Sequence, residues 1–465
     1  MSGGGNLGAL GLAQLFRIGS GFAINVLLMR ALGVDGFGVY GTILTAVGIA
    51  AFGANLGMDR LINRELSRRP ERADVLVPTG LATTLSLSVV TGVLVIAWSV
   101  GADGRGVFVA GTALAAVAMG ARALAQVPEA AFHALRRMMP PAKAQMAGRV
   151  VLVVTTAGLV VVRPDVIAVF AAQLLDGIVT FVLSWRAWRA TGAAMAPVRL
   201  DDARSLVRES VPFGLNLLFG SVYLTVDVLM LAAMRDDAEV GLYRGAVSLI
   251  ALFPVVANTL TMGMYPKMAR HLGSPDRAGD ELGFAVRVLL LVSAPAAVGG
   301  MLVAEPLMVF LGGDEYAGSA LPFLVMAPML PIRFVNHAYA MALSTLDRQA
   351  DRTWGTAIAA VVNVALNLWL IPIYGALGCA AATLLTEIVL AAWMAVRARG
   401  LIVGVGFLGA VGRVSVAAGA MAAALVVLPP VHVVVDVLVG AVVFVAAGRA
   451  TGAWSPADLR RLRRV

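Results

Sequence analysis

The chain has 465 residues, of which the apolar set AVILMFWYC makes up 60% and charged residues only 14%, with a mean hydropathy of +0.87. About a quarter of a soluble domain is charged, so no soluble core absorbs this composition and the sequence reads as an integral membrane protein. The net charge of +9 is no nucleic-acid footprint, because the arginines sit between apolar segments, and the single cysteine, Cys379, excludes an intramolecular disulfide and any CxxC site.

Apolar segments of about 20 residues cross a bilayer as helices. About fourteen are predicted, near 7–29, 37–57, 76–100, 106–128, 146–162, 165–187, 209–234, 240–264, 283–303, 318–345, 353–373, 376–396, 403–427 and 430–448. The polar/apolar alternation of a transmembrane β-barrel is missing, so the expected class is all-α. The N-terminus lacks a basic n-region and reads as the start of the first helix, not as a cleaved signal. After the ninth span, "EPLMVFLGGDEY" reads as a segment folding back at the membrane edge. The tenth contains Pro322, Pro328 and Pro331 and should bend, since proline breaks the helical ladder.

Topology follows from the cations. Arg60, Arg64, Arg68, Arg69 and Arg72 follow the second span; Arg136, Arg137 and Lys143 the fourth; Arg186, Arg189, Arg199 and Arg204 the sixth. Lys267, Arg270 and Arg277 follow the eighth, Arg348 and Arg352 the tenth, Arg397 and Arg399 the twelfth, and the tail reads "RRLRRV". Odd-numbered exits carry few cations. Lys and Arg mark cytoplasmic loops, so both termini are expected inside, with an even number of spans.

No loop is long enough to hold an enzyme domain, and GxSxG, HExxH and P-loop signatures are missing. The four histidines share no ligand spacing. Neither a catalytic residue, a metal site nor a cofactor is predicted; a transporter is.

The chain also repeats itself. "MRALGVDGFGVYGTIL" (29–44) returns as "MRDDAEVGLYRGAVSL" (234–249), roughly 203 residues on. At a similar offset "RELSR" (64–68) matches "PKMAR" (266–270), and "LRRM" (135–138) matches "LDRQ" (346–349). Six helices separate the copies, so the repeat is parallel, the pattern of two lobes that give alternating access. The predicted domains are an N-lobe over 1–200, a C-lobe over 201–400, and 401–465 as two further helices with a basic cytoplasmic tail. Tyr40 and Tyr243, at equivalent repeat positions, are expected as interfacial anchors.

Three stretches carry a resemblance to a known family: "LLMRALGVDGFGVYG", "TVDVLMLAAMRDDAEVGLYRGAVSL" followed by "YPKMAR", and "NVALNLWLIPIYGALGCAAATLLTE". The chain resembles the multidrug/oligosaccharidyl-lipid/polysaccharide (MOP) flippase superfamily, and within it the Wzx-type bacterial polysaccharide flippases. The resemblance implies a MATE-like bundle in a bacterial plasma membrane. It also implies a polyprenyl-pyrophosphate-linked oligosaccharide as cargo, moved from the inner to the outer leaflet for cell-surface polysaccharide such as lipopolysaccharide. Membrane lipid, glycan polymerase and glycosyltransferases are the implied partners, with no nucleic acid. The two extra C-terminal helices, found in lipid II flippases too, keep that assignment open. A MATE-type drug or ion antiporter and a non-transporting scaffold for glycan enzymes are the other readings.

An anionic pyrophosphate needs cationic donors in a wet cavity, and arginine's planar fork suits it. Gln14, Arg17 and Asn25 share one face of the first helix by helical spacing, and Asn216, Tyr223 and Asp227 form the matching stripe on the seventh. Arg244 and Arg333 complete the predicted substrate set; pairing inside the bundle is the other reading of Arg333. Intramembrane carboxylates are the usual coupling-ion sites, which makes Asp227, Asp176 and Glu387 the candidates. Asn363 and Asn367, one turn apart, are expected to hydrogen-bond between helices.

Overall fold

A computed structural model describes the backbone of residues 3–162, 164–270, 274–402, 407–429 and 431–463; the side chains at 3–18, 161, 216–217, 275–276, 400–402, 407–408, 459 and 462–463 lie outside the described residues. The described residues form helices and contain no strand. In chain order these are α1 (Gly3–Asn55), α2 (Met58–Arg68), α3 (Ala73–Ala102), α4 (Gly106–Ala134), α5 (Met139–Val162), α6 (Val166–Arg189), α7 (Leu200–Met234), α8 (Asp237–Ile250) and α9 (Phe253–Arg270). They continue as α10 (Pro275–Leu302), α11 (Ala304–Gly312), α12 (Ala320–Met326), α13 (Met329–Thr345), α14 (Gln349–Ile402), α15 (Phe407–Val427), α16 (Val433–Ala450) and α17 (Pro456–Arg463).

Among the described residues, 10 helices are long and apolar enough to cross a membrane, or up to 12 if each of two bent pairs is one span. The first pair is α7, bent by 52° between Leu215 and Leu218; the second bends by 46° between Met326 and Met329, among the three prolines flagged in the sequence. Two of the ten are unusually long. α1 has 53 residues and α14 has 54, and each merges two helices across a glycine with non-helical backbone: Gly33 (φ 65°, ψ −176°) and Gly375 (φ 56°, ψ −131°). An unbroken helix of that length would measure about 80 Å against a hydrocarbon core of about 30 Å. A side chain would be strained at either φ, so glycine is what permits the break.

The chain divides into two compact units, 1–241 and 242–465. In the first, α2 lays Met58, Leu61, Ile62 and Leu66 into a core with Val127, Phe132 and Trp188, and leaves Arg60, Arg64 and Arg68 outside it. The Phe132 and Trp188 rings meet edge-on at 5.5 Å. The start of α8 also belongs to this unit. There Gly38 of α1 meets the Asp237 carbonyl, and Gly241 of α8 meets the Val34 carbonyl, so closely that a methyl group on either glycine would overlap the oxygen. These are equivalent positions of the repeated motif, facing each other.

In the second unit α10 packs on α13 and α15, and α13 on α9 and α14. Faces that bury nothing are apolar: Leu94 on α3 is 65% exposed and Trp369 on α14 is 64% exposed. Such faces suit acyl chains as their solvent. One expectation is overturned. Tyr40 and Tyr243 are not surface anchors but buried: the Tyr40 hydroxyl accepts a 3.1 Å hydrogen bond from Gln173, and the Tyr243 hydroxyl lies 3.3 Å from Thr383 Oγ1. Tyr40 also packs its ring against Phe37 and Phe170, at 5.9 and 5.3 Å between ring centres, a core task in which the hydroxyl keeps a partner.

Candidate functional site

Each unit contains a polar cluster within its helical bundle. In the first unit, Arg122, Gln126 and Glu129 share a face of α4 by their i, i+4, i+7 spacing. Glu129 is buried. Its Oε2 accepts a 2.9 Å hydrogen bond from Gln145 of α5, while its Oε1 has no partner among the described residues. Arg122 and Asp176 are charged neighbours of this carboxyl. Asp176, on α6, accepts a hydrogen bond from Thr180 at 3.4 Å, and both press against Gly148, where a methyl group would overlap them.

One helical turn from Gln145, Arg149 donates from Nε to Ser20 of α1 at 3.1 Å, and its guanidinium rests against Gly21. At the end of α1, the Asn55 amide donates to Asp59 at 3.2 Å and to Gln126. The outcome is a set of polar side-chain contacts distributed over α1, α2, α4, α5 and α6. Burying such groups is costly unless they are paired, so a bundle that retains them has a use for them.

In the second unit, Arg333 of α13 and Glu387 of α14 form an ion pair, Nη2 to Oε1 at 2.6 Å and Nε to Oε1 at 2.8 Å. Asn336 donates to the other carboxylate oxygen at 3.1 Å. Asn367 donates to Asn363 at 3.0 Å, and Asn363 to Thr386 at 3.4 Å, a bond that crosses the Gly375 break between the two halves of α14. Thr386 also donates to the Ala382 carbonyl at 2.7 Å, so the cluster is tied both to itself and to the backbone of α14.

Of the residues picked out from sequence, Arg333 and Glu387 come together: the sequence reads the two as cargo contact and coupling site, and the other reading of Arg333, pairing inside the bundle, is the one this contact matches. Asn25 and Tyr223 are half-buried on α1 and α7, and Arg244 is half-buried on α8. Asp227 is buried, and its Oδ1 accepts the Val228 amide at 2.8 Å. The side chains of Gln14, Arg17 and Asn216 lie outside the described residues. The sequence reading missed Arg122, Glu129 and Arg149. The signal was there, since the face-sharing rule applied to the first and seventh helices finds them when applied to the fourth and fifth.

Membrane-spanning helices in two units, each with charged side chains inside the bundle and lipid-suited faces outside, define a multi-pass membrane protein with the build of a transporter. The sequence profile of the polysaccharide biosynthesis protein family matches residues 4–272, and that of the MatE family matches residues 212–369. The chain belongs to the polysaccharide biosynthesis protein family. Among its relatives is the probable low-salt glycan biosynthesis flippase Agl15 of Haloferax volcanii, 21% identical over 81% of this chain and 79% of that one. Among solved structures, the lipid II flippase MurJ in an inward closed conformation has a TM-score of 0.78 at 12% identity, over 94% of this chain and 97% of that one. An inward-facing MATE-family multidrug resistance transporter of the MOP superfamily has a TM-score of 0.69 at 14% identity, over 84% and 95%. The fold is therefore that of the MOP transporters, and the protein is a flippase-type transporter, not an enzyme.

Proposed function

We propose that the protein flips a polyprenyl-pyrophosphate-linked oligosaccharide from the inner to the outer leaflet of a bacterial plasma membrane, by alternating access of two six-helix lobes. The observation that carries the reading is the set of arginines kept within membrane-spanning helices, Arg122, Arg149 and Arg333, in a chain of the polysaccharide biosynthesis family. Cations are expensive in a bilayer, and they are the groups an anionic pyrophosphate requires. The name of the Haloferax relative, a glycan biosynthesis flippase, points the same way. Arg17, Gln14, Asn25, Asn216, Tyr223 and Arg244 are proposed as further cargo contacts, and Asp227, Asp176 and Glu387 as coupling sites. Dividing α1 at Gly33 and α14 at Gly375 brings twelve spans to fourteen, with both termini cytoplasmic. Lobes over 1–200 and 201–400, with two added helices, are proposed on the repeat, and glycan polymerase and glycosyltransferases as functional neighbours.

The test is flipping of a fluorescent polyprenyl-pyrophosphate-oligosaccharide in proteoliposomes. Wild type should move the lipid, Arg149→Ala should slow it by about tenfold or more, and Arg149→Lys should restore part of the rate, because the charge returns without the fork. Transport of lipid II in preference to the oligosaccharide lipid would move the assignment to the lipid II flippases. Export of a cationic dye with no lipid movement would replace the cargo class altogether.

A further inference from the structure

A cavity of 370 Å³ opens at one end of the second unit, where the first turns of α10 and α15 meet the end of α16 and the tail helix α17. That volume holds about a dozen waters. Four arginines line it: Arg277 and Arg287 from α10, Arg413 from α15 and Arg461 from α17.

Two of them serve the tail. Arg287 pairs with Asp458 at 2.6 Å, and Arg461 with Glu281 at 2.8 Å. Both guanidinium groups also stack on the Phe284 ring, at 5.7 Å and 4.2 Å from its centre. Asp458 in turn caps α17 with Ser455, each accepting from the other's amide at 2.8 and 3.3 Å, the reciprocal capping box. The other two, Arg277 and Arg413, make no ion pair among the described residues; Arg413 donates to the Gly452 carbonyl at 3.2 Å. Asp280 is the remaining acid in the wall. Four guanidinium groups against Asp280, Glu281 and Asp458 leave one positive charge in surplus. The N-terminal ends of α10 and α15 add partial positive charge.

The depth of the cavity says what could reach it. It lies at the ends of spans, beside Trp454, whose indole donates to the Val445 carbonyl at 3.0 Å; tryptophan is characteristic of the headgroup level. Above it α16 turns Val442 and Val445, 69% and 53% exposed, outward, a surface for acyl chains.

We propose that this cavity is a binding site for the phosphodiester headgroup of a membrane lipid, a monoanion held by Arg277 and Arg413 on the floor made by Phe284 and the clamped tail helix. The surplus of one charge matches a single negative phosphodiester, and basic pockets between membrane helices take such headgroups. The residues that line the cavity all belong to the second unit, and the proposal does not depend on which cargo is moved.

Native mass spectrometry of the full-length protein, titrated with phosphatidylglycerol, phosphatidylcholine and free glycerol 3-phosphate, tests it. Wild type should retain phosphatidylglycerol at least about tenfold more tightly than phosphatidylcholine, and Arg277→Gln/Arg413→Gln should abolish the difference. Neither substitution touches the two ion pairs that hold α17; should the double variant fail to fold, Arg277→Gln alone should lose at least half the retention. Equal binding of the two lipids by wild type, or unchanged binding by a folded variant, overturns the proposal. Displacement of the lipid by equimolar glycerol 3-phosphate overturns the lipid assignment and makes the site one for soluble phosphate.

Discussion

Arg333 and Glu387 are the side chains whose pairing matters most to stability, because both are withdrawn from solvent, with the carboxylate side chain 3% exposed and the guanidinium 16%. Removing one partner leaves a charge stranded, which costs about 3–5 kcal/mol, whereas replacing both with apolar groups of similar volume is often neutral. Arg333→Met alone should therefore lower the midpoint of thermal unfolding in detergent sharply. Arg333→Met combined with Glu387→Leu should recover most of it. If the double variant is as unstable as the single one, the pair is not the source of the loss. Contrast Arg105, which bridges Asp103 and Asp237 at 2.6 Å from each. The hydrogen bonds to Asp103 and then Asp237 raise its already high basicity, yet it is largely exposed, and exposed pairs contribute about 1 kcal/mol or less. The sequence made Arg333 and Glu387 visible singly, as charges in apolar runs. Their partnership was not visible, since they lie 54 residues apart and nothing local in either stretch points to the other. Glu129 and Arg149 are hidden for a different reason: the repeat marks the first and seventh helices and leaves the fourth and fifth unmarked.

At the scale of elements, the repeated motif has a packing meaning that its letters hinted at. Gly38 and Gly241 each press on the other copy's backbone, and a carbonyl oxygen cannot move aside as a flexible side-chain end can. Gly38→Ala and Gly241→Ala should each destabilise by about 1–3 kcal/mol through overpacking. The double variant should cost less than the two singles added, because one separation of α1 from α8 relieves both clashes. Gly48, on an exposed face of α1 with open space where a Cβ would go, is the control: Gly48→Ala should be neutral or stabilising by up to about 1 kcal/mol, through helix propensity. Thermal unfolding of the four proteins separates a packing cost from a general dislike of added methyl groups. The bend between α12 and α13 was legible from its prolines. The tail was less so: "RRLRRV" read as a basic cytoplasmic tail, while the Ser455-to-Asp458 capping signal that begins α17 sits just before it.

For the whole molecule, the helical membrane class was legible because a bilayer allows so few solutions: every backbone group has to be satisfied internally, so a run of apolar residues is a helix. The number of spans is harder to read, because two of the helices run through their glycines with helical neighbours on both sides. If α1 and α14 are each two spans that reverse at Gly33 and Gly375, the residues beside these glycines lie on the face opposite to the arginine-rich loops. Cys379 is fully buried, which gives a quiet background for labelling single introduced cysteines with a membrane-impermeant maleimide in intact cells. Asp35 and Glu71 are exposed, as is Tyr374. Asp35→Cys and Tyr374→Cys should label from outside, along with Gly106→Cys, whereas Glu71→Cys should react only after permeabilisation. This orientation is the one expected from the basic loops, since lysine and arginine are retained on the cytoplasmic side. Should Asp35→Cys stay silent outside while Gly106→Cys labels, α1 does not reverse at Gly33. The count of fourteen would then fall, and with it the parallel orientation of the repeat on which alternating access rests.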